Sequence, residues 1–268
     1  MSSPTGPTPP PPPTYSAPVP PTDPEPAGPG LSEPQRLVNV FIAPSKTFAD
    51  LQRNPSWWKP WAISAVFTLF FGIVVVQKID IPRFLQQQID RSPSAQHRLE
   101  QLSPEQRERG MAIQATMTKA GFYGYWIVIL IGGILFSAIL MAVFNFMLGG
   151  EVPFQRALAV VFYSFFTWNL ATILLTVSVL LSADANTIDL SNPMPTNPAF
   201  FMDPQGNKFI YSLLSGFDVF KIWVVILLGL GFATASSNRK PAKGTAITTA
   251  FAIYAVLVLA GAAWKSIF

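Results

Sequence analysis

The chain has 268 residues, 50% hydrophobic and only 12% charged, about half the charge of an average soluble domain. A soluble fold this poor in charge would present a large apolar surface to water, so the composition calls for lipid as part of the solvent. The absence of cysteine excludes disulfides, thiolate metal sites and cysteine nucleophiles, and the single histidine excludes multi-histidine centres. A net charge of +4 without a long Lys/Arg run argues against nucleic acid as a partner.

In chain order, residues 1–34 come first. Residues 1–22 carry no charge but hold ten prolines, which cannot form a spanning helix. The stretch 1–34 is expected to be a disordered, proline-rich tail. Its PxxP spacing, for example Pro18 to Pro21, fits an aromatic groove, though a solvated spacer is the plainer role. The segment 35–56 then places Leu37, Val38, Val40, Phe41 and Ile42 before Pro44, with Phe48 and Leu51 at helical spacing. This pattern predicts short interfacial helices with their apolar sides in the lipid boundary. Trp57, Trp58 and Trp61 follow, the last two set to fix the entry depth at headgroup level.

Five charge-free intervals come next: 60–77, 120–150, 157–183, 222–238 and 244–264. About 20 residues of helix cross a bilayer, so these predict five spans near 58–77, 122–148, 157–182, 217–236 and 245–265. The fourth interval is short and is expected to borrow Phe217 to Lys221, with Lys221 snorkelling. The fold class is therefore all-α, an integral membrane bundle of five transmembrane helices within a domain over 35–268. Between the first two spans, the polar insert 78–121 carries seven basic and five acidic residues. Ser103-Pro104-Glu105-Gln106 marks a helix start that should run into the second span. The insert is expected to form a helical cap without a core of its own, with His97 a solvated surface residue. The loop 184–217 is acidic, and Phe200, Phe201, Phe209 and Tyr211 suggest contact with the membrane surface.

The loop with Arg239, Lys240 and Lys243 should be cytoplasmic and the acidic loop external. Alternation puts the N-terminus inside and the C-terminus outside. The seven bases of 78–121 run against this assignment in raw count.

At this point a family pattern emerges. The entry FIAPSKTFADLQRNPSWWKPW, the polar helical insert after the first span, and the second span ending NFMLGGEVPFQRALAVVFYSF resemble the Yip-one domain family, named for interaction with Ypt/Rab GTPases, in its bacterial branch. The resemblance covers about residues 36–268, and the Leu-Gly-Gly, polar, Phe-x-x-Ala-Leu segment at 148–158 is its most diagnostic part. It implies a five-span membrane domain with a cytosolic N-terminus. Eukaryotic relatives bind Rab GTPases in vesicle traffic; for bacterial relatives it implies little beyond location in the cytoplasmic membrane.

Polar residues within the spans are the candidate sites. Asn145, Tyr163 and Asn169 are expected to bond between helices, and would line a substrate path if they converged on a wet cavity. Asp218 and Lys221, at i and i+3, suggest an interfacial ion pair, Asp218 being favoured by the helix N-terminus. Small-xxx-small pairs such as Gly229–Ala233 and Gly133–Ser137 predict close helix packing and leave homo-oligomer contacts open. No catalytic motif, metal site or cofactor site is expected. The reading is a non-enzymatic membrane scaffold or interaction protein with membrane or cytosolic protein partners; a small transporter is the alternative.

Overall fold

The structure, a computed structural model, describes residues 29–238 and 240–267. The PxxP segment and the rest of the tail up to residue 28 lie outside them. Helix α1 (Glu33–Ile42) starts at Ser32, whose hydroxyl accepts from Gln35 N while Ser32 N donates to the Gln35 side chain. Ordered structure thus reaches back into the stretch assigned to the tail, because a capping box and Pro34 in the first turn define a helix start there. Helix α2 (Pro44–Asp50) follows after Ala43, and α3 (Trp58–Lys78) occupies the first predicted span.

Three further helix starts share one local chemistry, a side-chain cap with proline in the first turn. Asp80 caps α4 (Ile81–Asp90), Ser92 caps α5 (Pro93–Glu100), and Ser103 caps α6 (Pro104–Leu148). Helix α6 runs unbroken for 45 residues from the insert through the second span, about 68 Å at 1.5 Å per residue. Gly149 ends it in the left-handed conformation (φ 65°), its N–H bonded to Asn145 O while Gly150 N bonds to Phe144 O.

The third span divides into α7 (Phe154–Phe166) and α8 (Asn169–Leu181). At the junction the Ser164 and Thr167 hydroxyls donate back to the Val160 and Ser164 carbonyls, a bonding pattern that bends helices. Two short 3-10 turns, Ala185–Thr187 and Pro198–Phe201, punctuate the following loop. Then come α9 (Lys208–Ser215), α10 (Val219–Ala235) and α11 (Lys243–Ile267). The expected extension of the fourth span through Phe217 is corrected here. Asp218 accepts from Phe220 N and Lys221 N, so a new helix begins at Val219, and α9 joins it at 54°. All described regular structure is helical. Four segments are long and apolar enough to cross a membrane, or five if the bent α9–α10 pair is one span.

Helix α3 packs on α6 and α8, α6 on α7, α7 on α10, and α10 on α11. Lipid gives no hydrophobic drive between helices, so close backbone approach matters. A methyl at Gly229 would sit 2.5 Å from the Ile247 backbone, one at Gly133 2.6 Å from the Phe162 ring, and one at Gly72 would overlap the Phe122 carbonyl. The Gly229 and Gly133 pairs read from the sequence therefore serve packing within one chain. Ala260, Gly261 and Ala263 remain exposed.

Two apolar cores result. The larger joins α1 and α2 to α6, α7 and α10, with Val40, Phe48, Phe144, Val160 and Phe232 almost fully buried. This corrects the expectation for 35–56 in part. Phe48 packs beside Val160 and Gly231 and Val40 and Leu51 are buried with it, so the inward apolar side of these helices lies on the protein, while Val38 and Ile42 of α1 stay exposed. In the smaller core, Ile81, Leu85 and Ile89, one face of α4, are buried, and Ile81 and Leu85 join Val74, Val75, Ile79, Val179 and Ala185. The insert thus packs through an apolar core that it shares with the ends of α3 and α8.

Candidate interaction face

One end of the bundle, here called proximal, gathers α2, the turn 149–153 and the turn 236–242, with α1 packed against α7 beside them. Gln52 donates to Thr234 O at 2.5 Å. Ser237 N donates to Gly150 O, the Ser237 hydroxyl to Glu151 O, and Asn238 Nδ2 to the Glu151 carboxylate. Two turns far apart in sequence are thus laced into one surface. Glu151, at φ 50°, holds the left-handed conformation that turns the chain toward α7.

Within this end lies a cluster of charges. Arg36 Nε donates to Asp50 at 2.6 Å, and its Nη1 donates to Glu33 at 3.0 Å and to Asn54 O at 3.1 Å. Lys59 Nζ also reaches Glu33, at 2.9 Å, and the Tyr163 hydroxyl donates to its other oxygen at 2.7 Å. Leu31 N donates to the free oxygen of Asp50. The side chains of Arg36 and Asp50 are 5% and 8% exposed, and charges so desolvated persist only when paired and hydrogen-bonded. Burial alone would raise the Glu33 carboxyl. Hydrogen bonds from Lys59 and Tyr163 and the Arg36 charge outweigh it and hold that group below its ordinary value. The cluster clamps α1 and α2 to α3 and α7.

Of the residues singled out from the sequence, only Tyr163 belongs to this cluster, and its partner Glu33 was assigned to the tail. Asn145 grips the backbone of Val152 from both sides, donating at 3.1 Å and accepting at 2.6 Å, which fixes the turn between α6 and α7. Asn169 Nδ2 donates to Phe166 O and to the Ser64 hydroxyl, sealing the α7–α8 break and tying it to α3. Asp218 caps α10 as expected and also accepts from the Thr196 hydroxyl. The expected ion pair with Lys221 is corrected: the Lys221 ammonium turns to Ser215 O at 3.0 Å, because the carbonyls at the end of α9 are left without helical donors. Each of these groups has a local partner, and they lie in separate places. The sequence signal for the missed cluster was Arg36 on the same helical face as Val40, a charge where an amphipathic pattern wants an apolar residue.

A cleft of about 340 Å³ opens at the other, distal end, lined by Arg83, Gln87, Arg91, Asn186 and Asp189 among others. It lies outside the apolar helices. There Arg91 pairs with Asp189 at 2.8 Å and Asp80 N donates to Asn186. Among the described residues, no three His, Asp or Glu side chains are grouped to hold a metal ion.

The Yip1 domain model matches residues 38–263, from α1 almost to the end of α11. The chain belongs to the Yip1 domain family. The Yip1 domain thus includes most of the α1–α2 clamp, but its match begins after Glu33 and Arg36. The family is not an enzyme family, and with its apolar helices the chain is a multi-pass integral membrane protein. Comparison of this Yip1 domain protein with curated proteins and with solved structures gave no match.

Proposed function

We propose that this Yip1 domain protein crosses a bacterial cytoplasmic membrane five times, with its proximal end in the cytosol and its C-terminus outside. In this reading it acts as a non-enzymatic scaffold in membrane organisation, holding protein partners at the proximal face. The bent α9–α10 pair then counts as the fourth span. The 237–243 turn, with Lys240 and Lys243, set against the loop 184–217, with Lys208 beside Asp184, Asp189 and Asp203, supports the orientation, although the ten distal Lys and Arg outnumber the seven described proximal ones.

The observation that carries the scaffold reading is the lacing of the 149–153 and 236–242 turns into one surface beside α2. A preorganised surface binds with less ordering cost than separate loops. A transport path draws no support from Asn145, Tyr163 and Asn169, each held by a separate local partner. The test is crosslinking in native membranes, with identification of the attached proteins. The expected outcome is a reproducible set of partners that weakens when Asn238→Ala and Glu151→Ala loosen the two turns. Crosslinks that reproduce nothing, together with substrate flux in reconstituted vesicles, would replace this reading by a transporter.

A further inference from the structure

We propose that α1 is immersed in the hydrocarbon of the proximal leaflet, and that acyl chains cover its outward face. A helix lying against a protein in water turns its apolar residues in and its charges out. Helix α1 departs from that pattern. Its charged residue Arg36 is buried and paired with Asp50, while Val38 and Ile42 are 57% and 75% exposed. Val40 faces the bundle on the same side as Arg36, while the outward residues, with Gln35, Val38 and Ile42 exposed and Asn39 half-exposed, carry no charge. That pattern suits a medium in which an outward charge costs several kcal/mol and an outward isoleucine costs nothing.

Position along the neighbouring span agrees. The Glu33 carboxylate meets Tyr163 and the Phe41 ring packs edge-on against Phe166 at 6.0 Å. At 1.5 Å per residue these contacts fall about 13 and 18 Å along the apolar span that starts at Phe154. The last turn of α6 lies closer to the proximal end than these contacts, yet its Phe146 and Met147 are 90% and 75% exposed. Bare apolar surface therefore continues past the level of α1 toward the proximal side. The chain returns through α2 to Gln52, which bonds near the proximal end of α10. Lys46 is exposed on this return and has a stem long enough to carry its ammonium toward the headgroups. The pair α1–α2 is in this description a re-entrant element that fills the bundle beneath the start of α3.

The absence of cysteine makes single-thiol variants of the full chain clean. Spin labels at Val38→Cys and Ile42→Cys would be read in phosphatidylcholine/phosphatidylglycerol nanodiscs for collision with oxygen and with a water-soluble nickel chelate. Ala242→Cys, exposed in the proximal turn, and Val256→Cys, exposed on α11, serve as water and lipid references. Labels at 38 and 42 should collide with oxygen within about twofold of position 256 and with nickel about tenfold less than position 242. Nickel collision equal to that at 242 would put α1 in water and overturn the proposal. Low collision with both probes would mean that protein, such as a second copy, covers the helix, and would overturn it equally.

Discussion

Two pairs of short helices flank α3, and they are built alike but used differently. Pairs α1–α2 and α4–α5 both rely on proline-led first turns, and α1, α4 and α5 each have a Ser or Asp cap. Pair α1–α2 buries two of its charges: Arg36 and Asp50 lie in the protein interior, bonded to one another and to backbone, while Lys46 stays exposed. Pair α4–α5 leaves its charges at the surface. Arg91 and Asp189 are each about one-third exposed on their side chains, and Arg83 and Asp184 are about half exposed at 3.8 Å. The first arrangement fixes one geometry, since a buried ion without its partner is intolerable. The second contributes little and can rearrange, since water stands in for either partner. Similar local sequence chemistry thus yields a locked proximal end and an adaptable distal one.

The sharpest way to break this contrast is Asp50→Asn, which takes from Arg36 the nearer of its two carboxylate partners and leaves Glu33. The substitution should cost about 3–5 kcal/mol, read as a large fall in the thermal midpoint of the purified protein in detergent. Replacing the pair together, Arg36→Met with Asp50→Leu, should recover most of that loss. Equally small losses from Asp50→Asn and from the double variant would mean that the clamp owes its stability to packing only.

The apolar contribution can be compared next. Phe48→Ala should cost about 3–5 kcal/mol, and Leu85→Ala, in the smaller core, about 2–3 kcal/mol. Proteolysis of α1–α2 should rise in the first variant, and proteolysis of α4–α5 in the second. Protonation gives a gentler probe. Glu33 ionises below its ordinary value of 4.5 in the folded protein, so its contribution to stability is fully present above that value. It disappears as pH falls through the lower folded value. Glu33→Gln should flatten the stability curve below about pH 4.5 while leaving its shape unchanged from pH 5 to 8. The smallest effect belongs to Asp189→Asn, at most about 1 kcal/mol and shrinking with added salt. A loss as large as that from Asp50→Asn would abolish the distinction between the two ends.

Several of these elements are legible in the sequence for identifiable reasons. The capping box at Ser103 and the unbroken run beyond it depend on contacts three and four residues apart, which sequence reports directly. The docking of Phe48 is not legible, because an apolar stripe is satisfied equally by acyl chains and by side chains of α7 and α10. Nor are the breaks at Thr167–Trp168 and Gly216–Asp218: charge-free intervals give length and say nothing of bends. Asn145 and Asn169 stand out in the sequence as polar groups needing partners, but their partners, a turn backbone and the Ser64 hydroxyl, are fixed by tertiary approach. The Glu33 cluster draws on residues up to 130 positions apart, beyond the reach of any local pattern.

The continuity of α6 has a mechanical consequence. Its polar first half, Pro104 to Gly121, and its apolar second half form one rod, braced by α4, whose Phe84 ring lies 6.5 Å from that of Phe122. Bilayers of different thickness tilt an embedded helix to different degrees. An undivided rod whose free arm is about 27 Å long turns a 10° change of tilt into about 5 Å of sideways travel at its tip. Bilayer thickness on one side of this molecule would thereby be converted into lateral displacement of the Ser103 corner on the other.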